Sequence, residues 1–333
     1  MSLELVRAGR IEIADLRLVL GEGKTAVEAV NDLTLTIEPG ELVCVLGPSG
    51  CGKSSLLGAI AGLIAPTRGS VAVDGAAVVR PGADRGLVFQ QHTLLPWRSI
   101  VDNVAFGLQA RGVPRRARRE AAHALLGQVG LAGFERHYPA QLSGGMQQRA
   151  ELARVLINEP AVLLMDEPFA ALDALTRLRM QELFIELWGR RRPTVVFVTH
   201  DVDEAILLGD RLVVLGRGPG RIAAELPVEL ARPRGPELVS SAAFVQLRRR
   251  CLDLLRAEPP VSQTTDERGA DHEERRVTLV EAGSVGVRRG AADGIGGGGA
   301  IDGTGGDGPG ARRPGRAGAG SAASGGRPDA GAG

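Results

Sequence analysis

Apolar residues follow two rhythms along the first 258 positions. Short runs rich in Val, Ile and Leu at 11–20, 33–37, 41–46, 71–73, 87–89, 162–165, 194–199 and 211–215 read as strands. Between them apolar positions recur at helical spacing. Leu56, Leu57, Ile60 and Leu63 follow a Gly-rich turn. Met146, Ala150, Ala153 and Ile157 make one face of a helix that stops before Pro160. Asp74-Gly75, closing the 71–73 run, predicts a hairpin turn. From Asp102 to Pro160 helical signals dominate. This order predicts an α/β core with a helical subdomain inserted at about 92–160.

The character changes near Pro259. Residues 290–333 are mainly Gly, Ala, Asp and Arg with almost no large apolar side chain, too little to offset chain entropy. The expected organisation is therefore a domain over 1–258 and a disordered Gly/Ala/Arg-rich tail over 259–333. Composition narrows the partners. Lys+Arg at 40 against Asp+Glu at 39 gives a net charge of +1, which argues against a nucleic-acid binder. The first ten residues mix charges without an apolar run, and no stretch has the length of a membrane span. A cytoplasmic chain that reaches a membrane by docking is expected. Its three cysteines, Cys44, Cys51 and Cys251, show no ligand-like spacing and read as reduced thiols.

Two constellations carry phosphate chemistry. Gly47-Pro48-Ser49-Gly50-Cys51-Gly52-Lys53-Ser54, between an apolar run and a helical pattern, matches the loop that curls its N–H groups around phosphates. Lys53 is expected at the β- and γ-phosphates, and the Ser54 hydroxyl on Mg²⁺. The run 161–165 ends in Asp166-Glu167. Neighbours on an extended strand point oppositely, so the two acids are expected to differ in role: Asp166 toward Mg²⁺, Glu167 as the base polarising water.

A third motif is more specific. In Leu142-Ser143-Gly144-Gly145-Met146-Gln147-Gln148-Arg149, Ser143 is a good N-cap and the glycines allow close backbone approach to a helix N-terminus. One γ-phosphate does not need two cradles from one chain, so this one is expected to serve a nucleotide held by another copy. Leu142 to Arg149 resembles the signature motif of ABC-transporter ATPases, and the other landmarks fall in order over residues 10 to about 256. The resemblance implies a P-loop ATPase core of ABC type, with a mixed sheet flanked by helices and an antiparallel β subdomain. It implies ATP and Mg²⁺ as cofactors, with Ser55 beside Ser54 in the phosphate loop. It implies Gln90 as a metal- or water-touching residue reporting to the membrane subunit, and Ala170-Ala171-Leu172-Asp173 as a segment crossing the dimer interface. It implies His200 against the γ-phosphate, with Glu167, His200 and Gln90 as the catalytic group. It also implies nucleotide contacts from Ser143, Gly144, Gly145, Gln148 and Asp173 in a head-to-tail homodimer.

The stretch from Phe89 through Trp97 to Leu108, and 201–211 and 217–222, resemble the nitrate/sulfonate/taurine importer ATPases. That resemblance implies membrane permease subunits, an indirectly contacted periplasmic or lipoprotein solute-binding protein, and a position on the cytoplasmic face of the membrane. Trp97 either lines a groove for the permease or packs the helical insertion. The family's usual adenine-stacking aromatic is missing, because Val19 or Leu20 stands there. The competing reading is a soluble ABC-type ATPase acting on ribosomes or DNA. It is disfavoured by a single nucleotide module and no heptad run; a non-ABC P-loop kinase or GTPase would not need residues 142–149, and an exporter would usually carry fused spans.

Overall fold

The computed structural model describes residues 8–257. The chain divides into two units, 1–266 and 267–333, and the described residues all belong to the first. The tail expected at 259–333 lies outside the described residues.

In chain order the strands and helices are β1 (Ile11–Leu20), β2 (Val27–Ile37), β3 (Leu42–Leu46), α1 (Lys53–Ala61), β4 (Arg68–Val73), β5 (Ala76–Ala77) and β6 (Arg85–Val88). Four helices come next: α2 (Ile100–Val104), α3 (Phe106–Ala110), α4 (Arg115–Gln128) and α5 (Gly144–Leu156). The chain continues with β7 (Val162–Asp166), α6 (Ala174–Arg191), β8 (Thr194–Val198), α7 (Val202–Leu208), β9 (Arg211–Leu215), β10 (Ile222–Pro227) and α8 (Ala242–Ala257).

Two sheets form, with orders β2-β1-β4-β5 and β10-β9-β3-β8-β7-β6. The first is antiparallel; in the second every pairing is parallel except β10 with β9. β3 and β8 are buried along their whole length. Strands covered on both faces read as continuous apolar runs, and for that reason these were visible in the sequence. β1 instead alternates, with a register shift beside Asp15, whose φ is 47°. The β4–β5 turn has positive φ at both Asp74 and Gly75, as a two-residue hairpin of the primed kind requires.

Three elements differ from expectation. β2 begins at Val27, six residues earlier than the apolar run at 33–37. β10 carries the weak pattern Ile-Ala-Ala-Glu-Leu-Pro and was not anticipated. β6 ends at Val88, leaving Phe89 exposed beyond it.

The helical insertion occupies the gap between β6 and β7, as expected. Asn103 is fully buried there and knits the preceding loop by donating to the carbonyls of Leu95, Arg98 and Ser99 while accepting from the Leu95 N–H. Trp97, carried by that loop, is 72% exposed and therefore does not pack the insertion. On α4, Arg119 pairs with Asp102 and Arg118 donates to the Val113 carbonyl, so these two arginines hold the helix to its neighbours.

One core lies between the parallel sheet and its helices and includes Met165, Phe169, Phe184 and Phe197; the three phenylalanine rings meet with centroids 5.7 to 6.4 Å apart. The other joins β1, β2 and β4 to α1 and the sheet's opposite face. The loops after β3, β6, β7 and β8 all leave the carboxyl edge of the parallel sheet, where open α/β sheets bind ligands.

Candidate nucleotide site

The loop after β3 is shaped by backbone contact. Gly52, the residue before α1, has φ 94°, and a Cβ there would lie 2.2 Å from the Ala29 carbonyl oxygen. On the other side, a Cβ on Gly220 would lie 2.3 Å from the Cys51 carbonyl oxygen. The Gly220 N–H donates to the Ala29 carbonyl at 2.9 Å. β2, the phosphate loop and the β9–β10 turn thus meet main chain to main chain. Cys51 is a buried packing residue whose Sγ lies 2.6 Å from where a Gly47 Cβ would stand. No side chain caps the first turn of α1, so its N–H groups stay available to an anion.

Lys53 is 6% exposed, and its Nζ donates to the carbonyls of Gly47 at 2.8 Å and Pro48 at 2.9 Å. Burial raises the pKa of Asp166 from the ordinary carboxylate value; a hydrogen bond from the Ser54 side chain and the positive charge of Lys53 oppose this. Lys53, Ser54 and Asp166 therefore form one cluster.

Glu167 does not sit as strand alternation foresaw. β7 ends at Asp166, and Glu167 takes φ 43° in the left-handed region. The two acids diverge because the chain turns between them. Glu167 Oε2 accepts from His200 Nδ1 at 3.0 Å. His200 follows β8 with its side chain 63% exposed, able to meet a ligand outside the chain. Gln90 is exposed, two residues beyond β6.

The motif at 142–149 builds a second helix terminus. Ser143 caps α5, its Oγ accepting from the Met146 N–H at 3.4 Å, and Ser143 and Gly144 are exposed. A Cβ on Gly145 would lie 2.7 Å from Thr176 Cγ2, so this glycine serves an approach to α6 of the same chain. Gln148, expected at the nucleotide, is instead 3% exposed on the inner face of α5. Just over a turn past the exposed cap, its side chain points into the protein. Asp173 caps α6 by accepting from the Thr176 N–H at 3.0 Å, and that bond lowers its pKa. Among the described residues, no hydrogen bond or ion pair joins 142–145 to Lys53, Asp166, Glu167 or His200.

One contributor escaped sequence reading. Arg177 donates to the carbonyls of Phe169 and Leu172 at 3.3 and 2.9 Å and lies 3.8 Å from Asp201, fastening the 170–173 segment to the start of α7. Its position one turn into α6 was the available signal.

A phosphate loop after β3, a histidine at the exit of the adjacent strand β8 and an acidic pair at the end of β7, one strand further, define a P-loop nucleotide hydrolase. Comparisons narrow the class. Residues 30–170 match the ABC transporter family. An uncharacterized ABC transporter ATP-binding protein of Methanocaldococcus jannaschii is 47% identical over 249 residues, 75% of this chain and 92% of that one. The taurine import ATP-binding protein of Escherichia coli strain K12 is 50% identical over 210 residues, 63% of this chain and 81% of that one. The solved dimeric structure of a bacterial ABC transporter cassette matches with a TM-score of 0.60 at 33% identity, spanning 66% of this chain and 100% of that one. A post-hydrolysis state of the same cassette, bound to ADP and Pi, gives a TM-score of 0.59. The chain belongs to the ABC transporter family, as its ATP-binding, ATP-hydrolysing subunit.

Proposed function

We propose that this chain powers an importer of a small anionic or zwitterionic solute of the nitrate, sulfonate or taurine type, docked on the cytoplasmic face of a separate permease. The reading is carried by the split between two anion-binding helix termini in one chain: the α1 terminus is hydrogen-bonded through Ser54 to Asp166, the neighbour of Glu167, and among the described residues the α5 terminus has no such bond. Two copies arranged head to tail would complete each site, with ATP between the Lys53 loop of one protomer and Ser143 to Gly145 of its partner. The taurine import relative supports the transport direction. Among the described residues no helix is long and apolar enough to cross a membrane, which fits a subunit that uses a partner's spans.

In the site, Lys53 would exchange its two carbonyl acceptors for phosphate oxygens. Glu167 accepts a proton from the attacking water as oxygen bonds to the γ-phosphorus and the bridge to the β-phosphate breaks, giving ADP and phosphate. The adjoining Ser54 hydroxyl and Asp166 carboxylate are hard oxygen donors and fit Mg²⁺, which would supply charge neutralisation at the phosphates. His200, held by Glu167, would meet the γ-phosphate. Gln148 is left out of this assignment by its burial.

The adenine side is aliphatic. Leu20, at the end of β1, is 36% exposed and pairs with Val27 of β2, which is 63% exposed. Leu20→Tyr should tighten ATP binding by roughly two- to tenfold, the worth of an aromatic stacking contact of about 0.5–1.5 kcal/mol. Titration calorimetry against the parent measures it, and an unchanged Kd removes Leu20 from the base site.

The test of the whole reading uses Ser143→Arg in cells that lack the native gene. Wild-type chain should restore ATP-dependent uptake of labelled taurine, sulfonate or nitrate. Ser143→Arg should restore none, while the purified variant still binds ATP as a monomer. Uptake of all three solutes that is indifferent to the gene, or full hydrolysis by monomeric Ser143→Arg, would defeat it.

A further inference from the structure

Glu151 is an acid buried at 2% exposure on the second turn of α5, where an apolar side chain would be expected. Its Oε1 accepts from both the backbone N–H and the hydroxyl of Thr93, the latter at 3.1 Å. One turn further along, Arg154 donates to the Thr93 carbonyl at 2.7 Å and to its hydroxyl. Every polar group of Thr93 is thus held by one helix, and that helix begins at Ser143-Gly144. Thr93 stands three residues after Gln90. β6, part of the rigid parallel sheet, ends at Val88. The connection between sheet and clamp is therefore 89–92, four exposed residues with Gln90 among them.

A span of four residues reaches at most about 13–14 Å, so it takes up displacement poorly. Movement of α5 relative to the sheet pulls on this span through Thr93, as it does on residues 157–161 that join α5 to β7, and Gln90 lies in the span. Glu151 Oε2 is fully buried and has no hydrogen-bond partner, which is costly for a carboxylate. His92 Nδ1 lies 3.5 Å from it. The Nε2 of the same ring lies 4.0 Å from where a Cβ on Gly144 would stand. An unmet acceptor facing an imidazole nitrogen on the connecting span is a contact that a small rearrangement completes when that nitrogen carries its proton.

We propose that Glu151 is a positioning residue for hydrolysis. Together with Arg154 it fastens Thr93 to α5, so that a nucleotide engaging Ser143 and Gly145 at the head of α5 draws Gln90 to its place beside Asp166. The inference rests on the two-copy ATP site proposed above. The chemistry at each site is then conditional on occupancy of the other protomer's helix terminus, and Glu151 is the link.

The experiment is a double-mutant cycle on the purified full chain, with kcat and KM for ATP measured for wild type, Glu151→Ala, Gln90→Ala and the pair. Glu151→Ala should lower kcat about tenfold, the scale of one lost charge-assisted hydrogen bond, and leave KM within about twofold. Glu151→Gln keeps an acceptor for Thr93 and should recover most of the loss. The pair should be no slower than Gln90→Ala alone, because both changes act on one event. Losses that multiply, a KM that rises with the fall in kcat, or a kcat that does not change would each overturn the proposal. If Glu151→Ala does not fold, Thr93→Val, which removes the two hydroxyl contacts of the clamp without opening a cavity, takes its place in the cycle with the same supporting and overturning outcomes. Failure of the underlying two-copy reading looks different: the hydrolysis-blocked Glu167→Gln chain would show no ATP-driven dimer in sedimentation.

Discussion

Glu167→Gln leaves ATP binding intact, lowers turnover by about 10²- to 10⁴-fold, and accumulates an ATP-bound dimer. The magnitude is that of removing a positioned general base. The structure argues that nothing else is disturbed. Glu167 already occupies a left-handed backbone position, and Gln bears the same backbone cost there. The carboxylate's bond from His200 Nδ1 can be received by an amide oxygen, so the histidine keeps its orientation. The missing element is the ability to take a proton. Phosphate release measures turnover, and size-exclusion chromatography with ATP measures the dimer. Turnover at the parent's rate would move the base to another residue.

Lys53→Ala acts on the opposite step and weakens ATP binding by roughly 10- to 100-fold, the scale of one or two charge-assisted hydrogen bonds. The loss is no larger because the amine is not idle without ligand. It donates to two loop carbonyls, so binding exchanges partners instead of creating bonds from nothing. Removing the amine also leaves the Gly47 and Pro48 carbonyls facing the incoming phosphates, a repulsion that adds to the loss. Calorimetric titration with ATP gives the Kd, and circular dichroism shows the fold is kept. Affinity equal to wild type would displace Lys53 from the phosphates.

Much of this site was legible because its signals are local. The phosphate loop declares itself through fixed glycine and lysine spacing, and β3, β7 and β8 through apolar runs long enough to be buried on both faces. What failed depended on tertiary packing. Gln148 and Glu151 are polar residues on the inner face of α5, and which face is inner is decided by what the helix lies against. Glu167's divergence from Asp166 comes from a single left-handed residue, which no alternation rule anticipates. β10 pairs at the sheet's edge with a pattern too weak to distinguish it from a loop. Trp97 could be resolved only by its exposure.

The meeting of three main-chain segments behind the phosphate loop bears on how the protein can change over generations. At 52 and at 220 even a methyl group collides with a carbonyl oxygen, so these positions admit no side chain. The curvature of the loop is consequently copied from backbone geometry alone. Drift in the surrounding side chains can retune the outer surfaces of the domain, while the grip on phosphate stays out of its reach.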